Sequence, residues 1–272
     1  MTQTTVCFIG AGNMSRSIIS GMVTHGYDPQ CIYATNPSQP KLSALQQDFG
    51  IHIANDNLAI AKQCNVIVLS VKPQLMQQVC QQLSTLDLSS KLIITIAAGI
   101  PASRYHDYFK QPIQLIRTMP NTPTQIGFGM TGLYAQQGVS EQHKQLCQLI
   151  MQSGGKTLWV QQEDELNQVI ALAGSSPAYF FLFLESMVDA GKKMGMDETQ
   201  ARELAQQAAL GAAQMVIQNP QTPLATLRSN VTSKGGTTAQ AVETFEQGGL
   251  RELVDNAMNH CVARANEMAK TF

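Results

Sequence analysis

Two short stretches carry residue types able to do chemistry. In Ser233-Lys234-Gly235-Gly236-Thr237-Thr238, adjacent glycines stand just before an expected helix start at Thr237 or Thr238. Glycines placed there let successive backbone N–H groups converge, and the helix dipole adds positive potential. The mouth of that helix is therefore a place for a small anion. Thr237 and Thr238 add hydroxyls that donate or accept, and Gln240, three residues after Thr237, completes the pattern of a capping box. The same letters also fit a plain Gly-Gly turn. The second stretch, Gly10-Ala11-Gly12-Asn13-Met14-Ser15, follows directly on the apolar run Val6-Cys7-Phe8-Ile9. Gly10 permits a tight turn, Gly12 lets a pyrophosphate approach the backbone, and a helix over residues 14–24 would aim its N-terminus at the phosphates. Ser15 stands where a third glycine is usual and is small enough for close helix packing.

Hydrophobic patterning supplies the frame for both. Strands are expected at 31–34, 51–53, 65–71, 92–99, 113–117, 127–134 and 157–160 besides 6–9, with a helix over 141–152. Asn55-Asp56-Asn57 reads as a helix cap. No strand pattern follows Val160. Helices are expected instead from 163 to 173, from the Ser175-Ser176-Pro177 cap onward, from the Asp197 capping box to 218, after a Thr222 cap with Pro223 first in the helix, and from 249 to the end. The fold class is α/β, an N-terminal Rossmann-like doubly wound sheet followed by an all-helical C-terminal domain, for which the low surface charge suits a role in oligomerisation. The expected domains are 1–162, binding dinucleotide, and 163–272, binding substrate. Residues 178–184 are apolar on every side, which fits either a subunit interface or an ordinary core helix.

In a doubly wound sheet, ligands sit beyond the carboxyl ends of the strands. Val71-Lys72-Pro73 should border that crevice. Small residues at Ala97-Ala98-Gly99 leave room for a nicotinamide ring, and Met119-Pro120-Asn121-Thr122-Pro123 makes a stiff wall. The second strand ends in Thr35-Asn36-Pro37-Ser38, with Lys41 one turn on and no acid to bind a ribose 2′-hydroxyl. NADPH is favoured, and NADH remains possible.

The run Asn230-Val231-Thr232-Ser233-Lys234-Gly235-Gly236-Thr237-Thr238 closely resembles the signature of the pyrroline-5-carboxylate reductase family, and Val-Lys-Pro and Met-Pro-Asn-Thr-Pro extend the likeness over most of the chain. Members commonly carry proline where Lys234 stands. The resemblance implies NADPH-dependent reduction of pyrroline-5-carboxylate to L-proline, the last step of proline biosynthesis, with Thr238 catalytic and facing the ring nitrogen. It places Ser233, Gly235, Gly236, Thr237, Thr238 and Met119 at the substrate. At the cofactor it places Ile9, Gly10, Ala11, Gly12, Asn13, Met14, Asn36, Ser38, Asn57, Val71, Lys72, Pro73, Ala98 and Asn230. It also implies a homodimer or a larger homo-oligomer such as a decamer. Reducing a cyclic imine needs hydride delivery to a carbon whose nitrogen is protonated or hydrogen-bonded, and no motif here offers the base that alcohol oxidation would require.

Composition excludes other classes. A net charge of −1 with 14% charged residues in 272 leaves no basic face for nucleic acid. The six cysteines lack any C-x-x-C spacing and read as buried thiols of a reducing compartment. Thr2 to Thr5 leave no room for a signal peptide before the first strand, and the apolar runs 92–100 and 179–184 fall short of the ~20 residues of a membrane helix. A soluble cytoplasmic enzyme without metal is expected, acting on a small molecule and not at a membrane. The five histidines lie outside every motif. One rival is a beta-hydroxyacid dehydrogenase, but its catalytic lysine has no counterpart in 173–179, and Lys192 comes several turns later. Another is a non-catalytic nucleotide-binding regulator.

Overall fold

The computed structural model describes residues 4–271; Thr2 and Gln3, counted above as preceding the first strand, lie outside them. The chain forms two compact units, one of residues 1–177 with 260–272 and one of 178–259.

The first unit alternates strand and helix: β1 (Val6–Ile9), α1 (Asn13–Thr24), β2 (Ile32–Thr35), α2 (Gln39–Phe49), β3 (His52–Ala54), α3 (Asn57–Gln63), β4 (Val66–Leu69), α4 (Pro73–Leu83), β5 (Leu92–Thr95), α5 (Ala102–Phe109) and β6 (Gln114–Met119). Then come β7 (Gly129–Ala135), α6 (Glu141–Gln152) and β8 (Gly155–Trp159). The strands form one 8-stranded sheet in the order β3-β2-β1-β4-β5-β6-β7-β8. All pairs are parallel except β6 with β7. The order reverses at β1 and β4, the switch point where a doubly wound sheet opens a crevice.

Continuous apolar strands arise because both sheet faces are covered. Val6 and Phe8 enter one buried cluster with Ile18, Leu42 and Cys147; Cys7 and Ile9 enter the other with Ile60, Met76 and Tyr105. Local chemistry sets the helix ends. Asp56 accepts from the N–H groups of Leu58 and Ala59, and Ser140 accepts from that of His143. Such caps stabilise a helix by about 1 kcal/mol each. Gly50, at φ 68°, ends α2 in the left-handed conformation that glycine adopts without penalty.

After β8 the described chain is helical. α7 (Glu165–Val169), a π turn (Ile170–Gly174) and α8 (Ser176–Lys193) run on, followed by α9 (Glu198–Gln218), α10 (Leu224–Asn230), α11 (Thr237–Gln247) and α12 (Leu250–Thr271). Asp197 caps α9 through the N–H groups of Thr199 and Gln200.

Several sequence expectations shift. β5 ends at Thr95, so residues 96–99 are loop, and β6 runs on through Thr118 and Met119. The cap before α10 is Pro223 rather than Thr222. The cap of α11 is Gly236, without a side-chain hydrogen bond, so Thr237 and Gln240 form no capping box. The helices expected at 163–173 and after 176 are one helical stretch, because Ser175 N–H reaches Ile170 C=O at 2.8 Å and a π turn absorbs the Ser-Ser break. Residues 165–193 then make a helix of 29 residues with mean hydropathy 1.4 in its most apolar window, long and apolar enough by composition to cross a membrane. Reading only uninterrupted apolar runs misses this.

Candidate active site

The turn after β1 is held from three sides. Gly10 N–H donates to Thr35 C=O at 2.9 Å, Ser70 N–H donates to Ile9 C=O at 2.9 Å, and the buried Ser15 hydroxyl donates to Gly10 C=O at 2.7 Å. Gly10 has φ +111°, and a Cβ there would lie 2.6 Å from Ser70 C=O, so only glycine fits. Gly12 differs. It caps α1 with no side-chain hydrogen bond, and a Cβ on it would meet nothing within 4 Å. The first-turn N–H groups of α1, from Asn13 and Met14 onward, therefore open onto space that a pyrophosphate can enter.

Around this turn stand the other expected nucleotide residues of the first unit. Asn36 Oδ1 accepts from Ala11 N–H at 3.3 Å, while Asn36 C=O accepts from Asn55 Nδ2. Asn57 Oδ1 accepts from Thr35 Oγ1 at 2.6 Å, which fixes the end of β2. Ser38 precedes α2 as its cap and makes no capping hydrogen bond with its side chain, so that 11-residue helix also presents free N–H groups, beside a strand end that lacks an acid. A 2′-phosphate fits such a place better than a bare hydroxyl does. Val71 packs against Gly10, and Lys72 caps α4 with Pro73 as its first residue. Further along the same edge Met119 forms a buried cluster with Leu166 and Val169, and Ala98 packs against that cluster.

The anion loop belongs to the second unit. Gly236 N–H donates to Ser233 C=O at 3.0 Å, closing a turn with Lys234 and Gly235 between; Gly235 has φ +73°. A turn with positive φ at its third residue accepts proline at the second, which accounts for the family's habit there, and Lys234 meets the same geometry without the ring. Gln240 is the first residue whose N–H bonds within α11, to Gly236 C=O, so those of Thr237, Thr238 and Ala239 point out of the helix mouth. Thr237 and Thr238 are exposed. Thr232 Oγ1 donates to Arg228 C=O at 2.6 Å, and Glu246 takes Arg251 at 2.7 Å and Arg228 at 3.2 Å, tying α10, α11 and α12 around the loop. The Arg251 hydrogen bond leads in holding the Glu246 carboxyl below its usual range. Asn230, expected at the cofactor, is the last residue of α10 and stands with this loop.

Residues 163–268 match the family model described as pyrroline-5-carboxylate reductase dimerisation, and residues 5–99 match the one described as NADP oxidoreductase coenzyme F420-dependent. Pyrroline-5-carboxylate reductase of Vibrio alginolyticus is 52% identical over 272 residues, covering 100% of both chains. The chain belongs to the pyrroline-5-carboxylate reductase family. A solved reductase of this family from Coxiella burnetii superposes with a TM-score of 0.92 at 38% identity, covering 98% of this chain and 99% of that one. The Plasmodium falciparum enzyme, solved with NADP bound, gives 0.89 at 26% identity, covering 99% of each. As a pyrroline-5-carboxylate reductase the chain is an oxidoreductase, and its helical region carries the family's dimerisation domain, so it assembles with copies of itself. That accounts for Phe180, Phe181 and Leu182, each more than 60% exposed in the single chain.

Sequence reasoning missed three features of the first unit. Ser15 was assigned packing alone, yet its hydroxyl satisfies the Gly10 carbonyl. Asn121, 7% exposed, donates to Ala173 C=O at 2.9 Å and accepts from Met130 N–H at 2.9 Å, fastening the Met-Pro-Asn-Thr-Pro segment to the π turn. Arg117 lies buried in β6 against Glu163. Only the last left a signal, since a charged residue within an apolar strand must have a partner.

Proposed function

We propose that this pyrroline-5-carboxylate reductase uses NADPH to reduce the imine of pyrroline-5-carboxylate to L-proline, with the carboxylate held by main-chain N–H groups and no titrating side chain as catalyst. The observation that carries the reading is the open, uncapped mouth of α11 beside Ser233, Gly235 and Gly236. When bound, NADPH supplies the hydride. Gly10, Ala11, Gly12, Asn13 and Met14 receive its pyrophosphate, Ile9, Val71, Lys72 and Pro73 border it, and Asn36, Ser38 and Asn57 take the adenosine end with its 2′-phosphate. Ala98 and Asn230 complete the cofactor contacts.

The N–H groups of Thr237 and Thr238 grip the substrate carboxylate, as a helix N-terminus grips an anion. Met119 supplies an apolar wall. Once the imine carbon has taken the hydride, the ring nitrogen carries the electron pair of the former C=N bond and must hold a proton. Thr238 Oγ1 can donate to or accept from that nitrogen, and the rate gain comes from fixed orientation more than from acid strength.

The dinucleotide-binding domain spans 1–162 and the substrate-binding, dimer-forming domain 163–272 in this reading. Two copies cover the apolar side of α8, and dimers gather into a ring such as a decamer. The enzyme works in the cytoplasm, away from membranes, and its thiols fit a reducing compartment. All six cysteines are free, and burial pushes the Cys80 thiol up to about 12, which keeps it protonated and unreactive at neutral pH.

Following NADPH absorbance tests the assignment. Loss of NADPH with pyrroline-5-carboxylate, and no reduction of NADP by hydroxyacids, is the expected result. Turnover of a hydroxyacid would favour the dehydrogenase rival, and silence with every substrate would favour a nucleotide-binding regulator.

A further inference from the structure

We propose that Glu163, paired with Arg117, is a positioning residue for hydride transfer: one carboxylate oxygen clasps the start of α5 to β6 and thereby fixes Ala98 against Met119. The proposal rests on the reading that the nicotinamide is received at that edge.

Arg117 pairs in register with Thr95 across β5 and β6, and its side chain is 7% exposed. Glu163 Oε1 accepts from Arg117 Nη1 at 2.5 Å and from Ala102 N–H at 2.6 Å. α5 opens on Pro101 without a side-chain cap of its own, so a carboxylate distant in sequence does the capping. The loop from Ile96 to Pro101, which carries Ala98, is thus fixed at its far end by Glu163. At its near end Thr95 Oγ1 accepts from Ala97 N–H at 3.3 Å and is hydrogen-bonded to the Tyr105 hydroxyl at 2.6 Å. Thr118 Oγ1, next to Met119, donates to Thr95 C=O at 3.1 Å. In the middle, a Cβ on Gly99 would lie 2.8 Å from Met268 Cβ, so α12 presses on the loop as well.

Stability alone does not account for this arrangement. Burying a charged side chain seldom improves on apolar residues of similar volume; here Arg117 is buried while the Glu163 side chain stays 29% exposed, and Arg117 Nε is buried without any hydrogen-bond partner. A chain that keeps an unsatisfied donor in order to hold a carboxylate between two elements gains a fixed geometry. That geometry is set two residues before Met119 in β6 and four residues after Ala98. Displacing reacting groups by about 1 Å costs about a hundredfold in rate, so a small relaxation of the clasp should register in turnover.

The test compares wild-type enzyme, Glu163→Asp, Glu163→Gln and the neutral pair Arg117→Met with Glu163→Gln, assayed with NADPH and with NADPH deuterated at the transferred position. Glu163→Asp keeps the charge, and its side chain, one methylene shorter, should not reach both Arg117 and Ala102 N–H. It should lose about tenfold in kcat with KM for NADPH within about twofold, and its deuterium isotope effect on kcat should rise. The neutral pair should regain the Tm lost by Glu163→Gln without regaining kcat. A structural role alone would lower the active fraction and leave the isotope effect unmoved, and kcat would return together with Tm. Either of those results, or wild-type kcat in Glu163→Asp, overturns the proposal. A wild type inert toward pyrroline-5-carboxylate would instead remove the functional reading, and the clasp's role in it.

Discussion

Thr238→Ala should lower kcat by about a hundredfold, the cost of removing one well-placed donor from a reaction that relies on positioning, while NADPH binds nearly as before. Thr238 is the second residue of α11 and is exposed, so the change empties no core. The residues assigned to the pyrophosphate belong to the other compact unit, which is why cofactor affinity should stand. Thr238→Ser, which keeps the hydroxyl, should recover most of the rate. Steady-state rates with a fluorescence titration of NADPH decide the matter. A Thr238→Ala enzyme with wild-type kcat would remove the hydroxyl from the mechanism and leave the loop as a carboxylate grip only.

Gly236→Val should raise KM for pyrroline-5-carboxylate by about tenfold or more, the loss expected when a charge-assisted contact is blocked. Gly236 has φ −80°, so valine meets no backbone strain there. Space decides instead. Its Cβ would lie 2.6 Å from Ser233 Oγ, which can rotate away, and 3.2 Å from Ser233 C=O, so the turn from Ser233 must give by a few tenths of an ångström. The isopropyl group would also crowd the N–H groups of Thr237 and Thr238. KM for NADPH should not follow, and a circular-dichroism melt should stay close to wild type because Gly236 is only half-buried and its neighbours Ser233, Thr237 and Thr238 are exposed. An unchanged KM for the carboxylate substrate would count against the grip.

Much of this was legible in the sequence for reasons that can be named. Val6 to Ile9 is apolar at every position because a parallel strand is covered on both faces, and the glycines after it have few other uses. Asp56 and Asp197 announced helix starts because side-chain caps are local. The Gly-Gly before Thr237 announced the α11 mouth, although the expected capping box there was wrong. Gly236 itself takes the cap position, so Thr237 becomes the first helical residue and its hydroxyl no longer serves the helix.

What stayed hidden depends on distant partners. Glu163 was read as the first residue of a helix over 163–173, whereas it caps α5 and pairs with Arg117. The Ser175-Ser176-Pro177 break looked like a helix boundary, but a π turn carries the helix through it, and Asn121 satisfies one of the carbonyls involved. The long apolar helix that results was missed for the same reason. No pattern within one segment could reveal these, because each is decided where strand ends, loops and helix starts meet.

The measurement that bears most directly on the central claim is a structure of the enzyme with NADPH and L-proline bound. The proline carboxylate should accept hydrogen bonds from the N–H groups of Thr237 and Thr238, its nitrogen should face Thr238 Oγ1, and the carbon that bears the transferred hydrogen should lie about 3–3.5 Å from the nicotinamide. A carboxylate bound by side chains elsewhere, with the mouth of α11 filled by protein, would contradict the account.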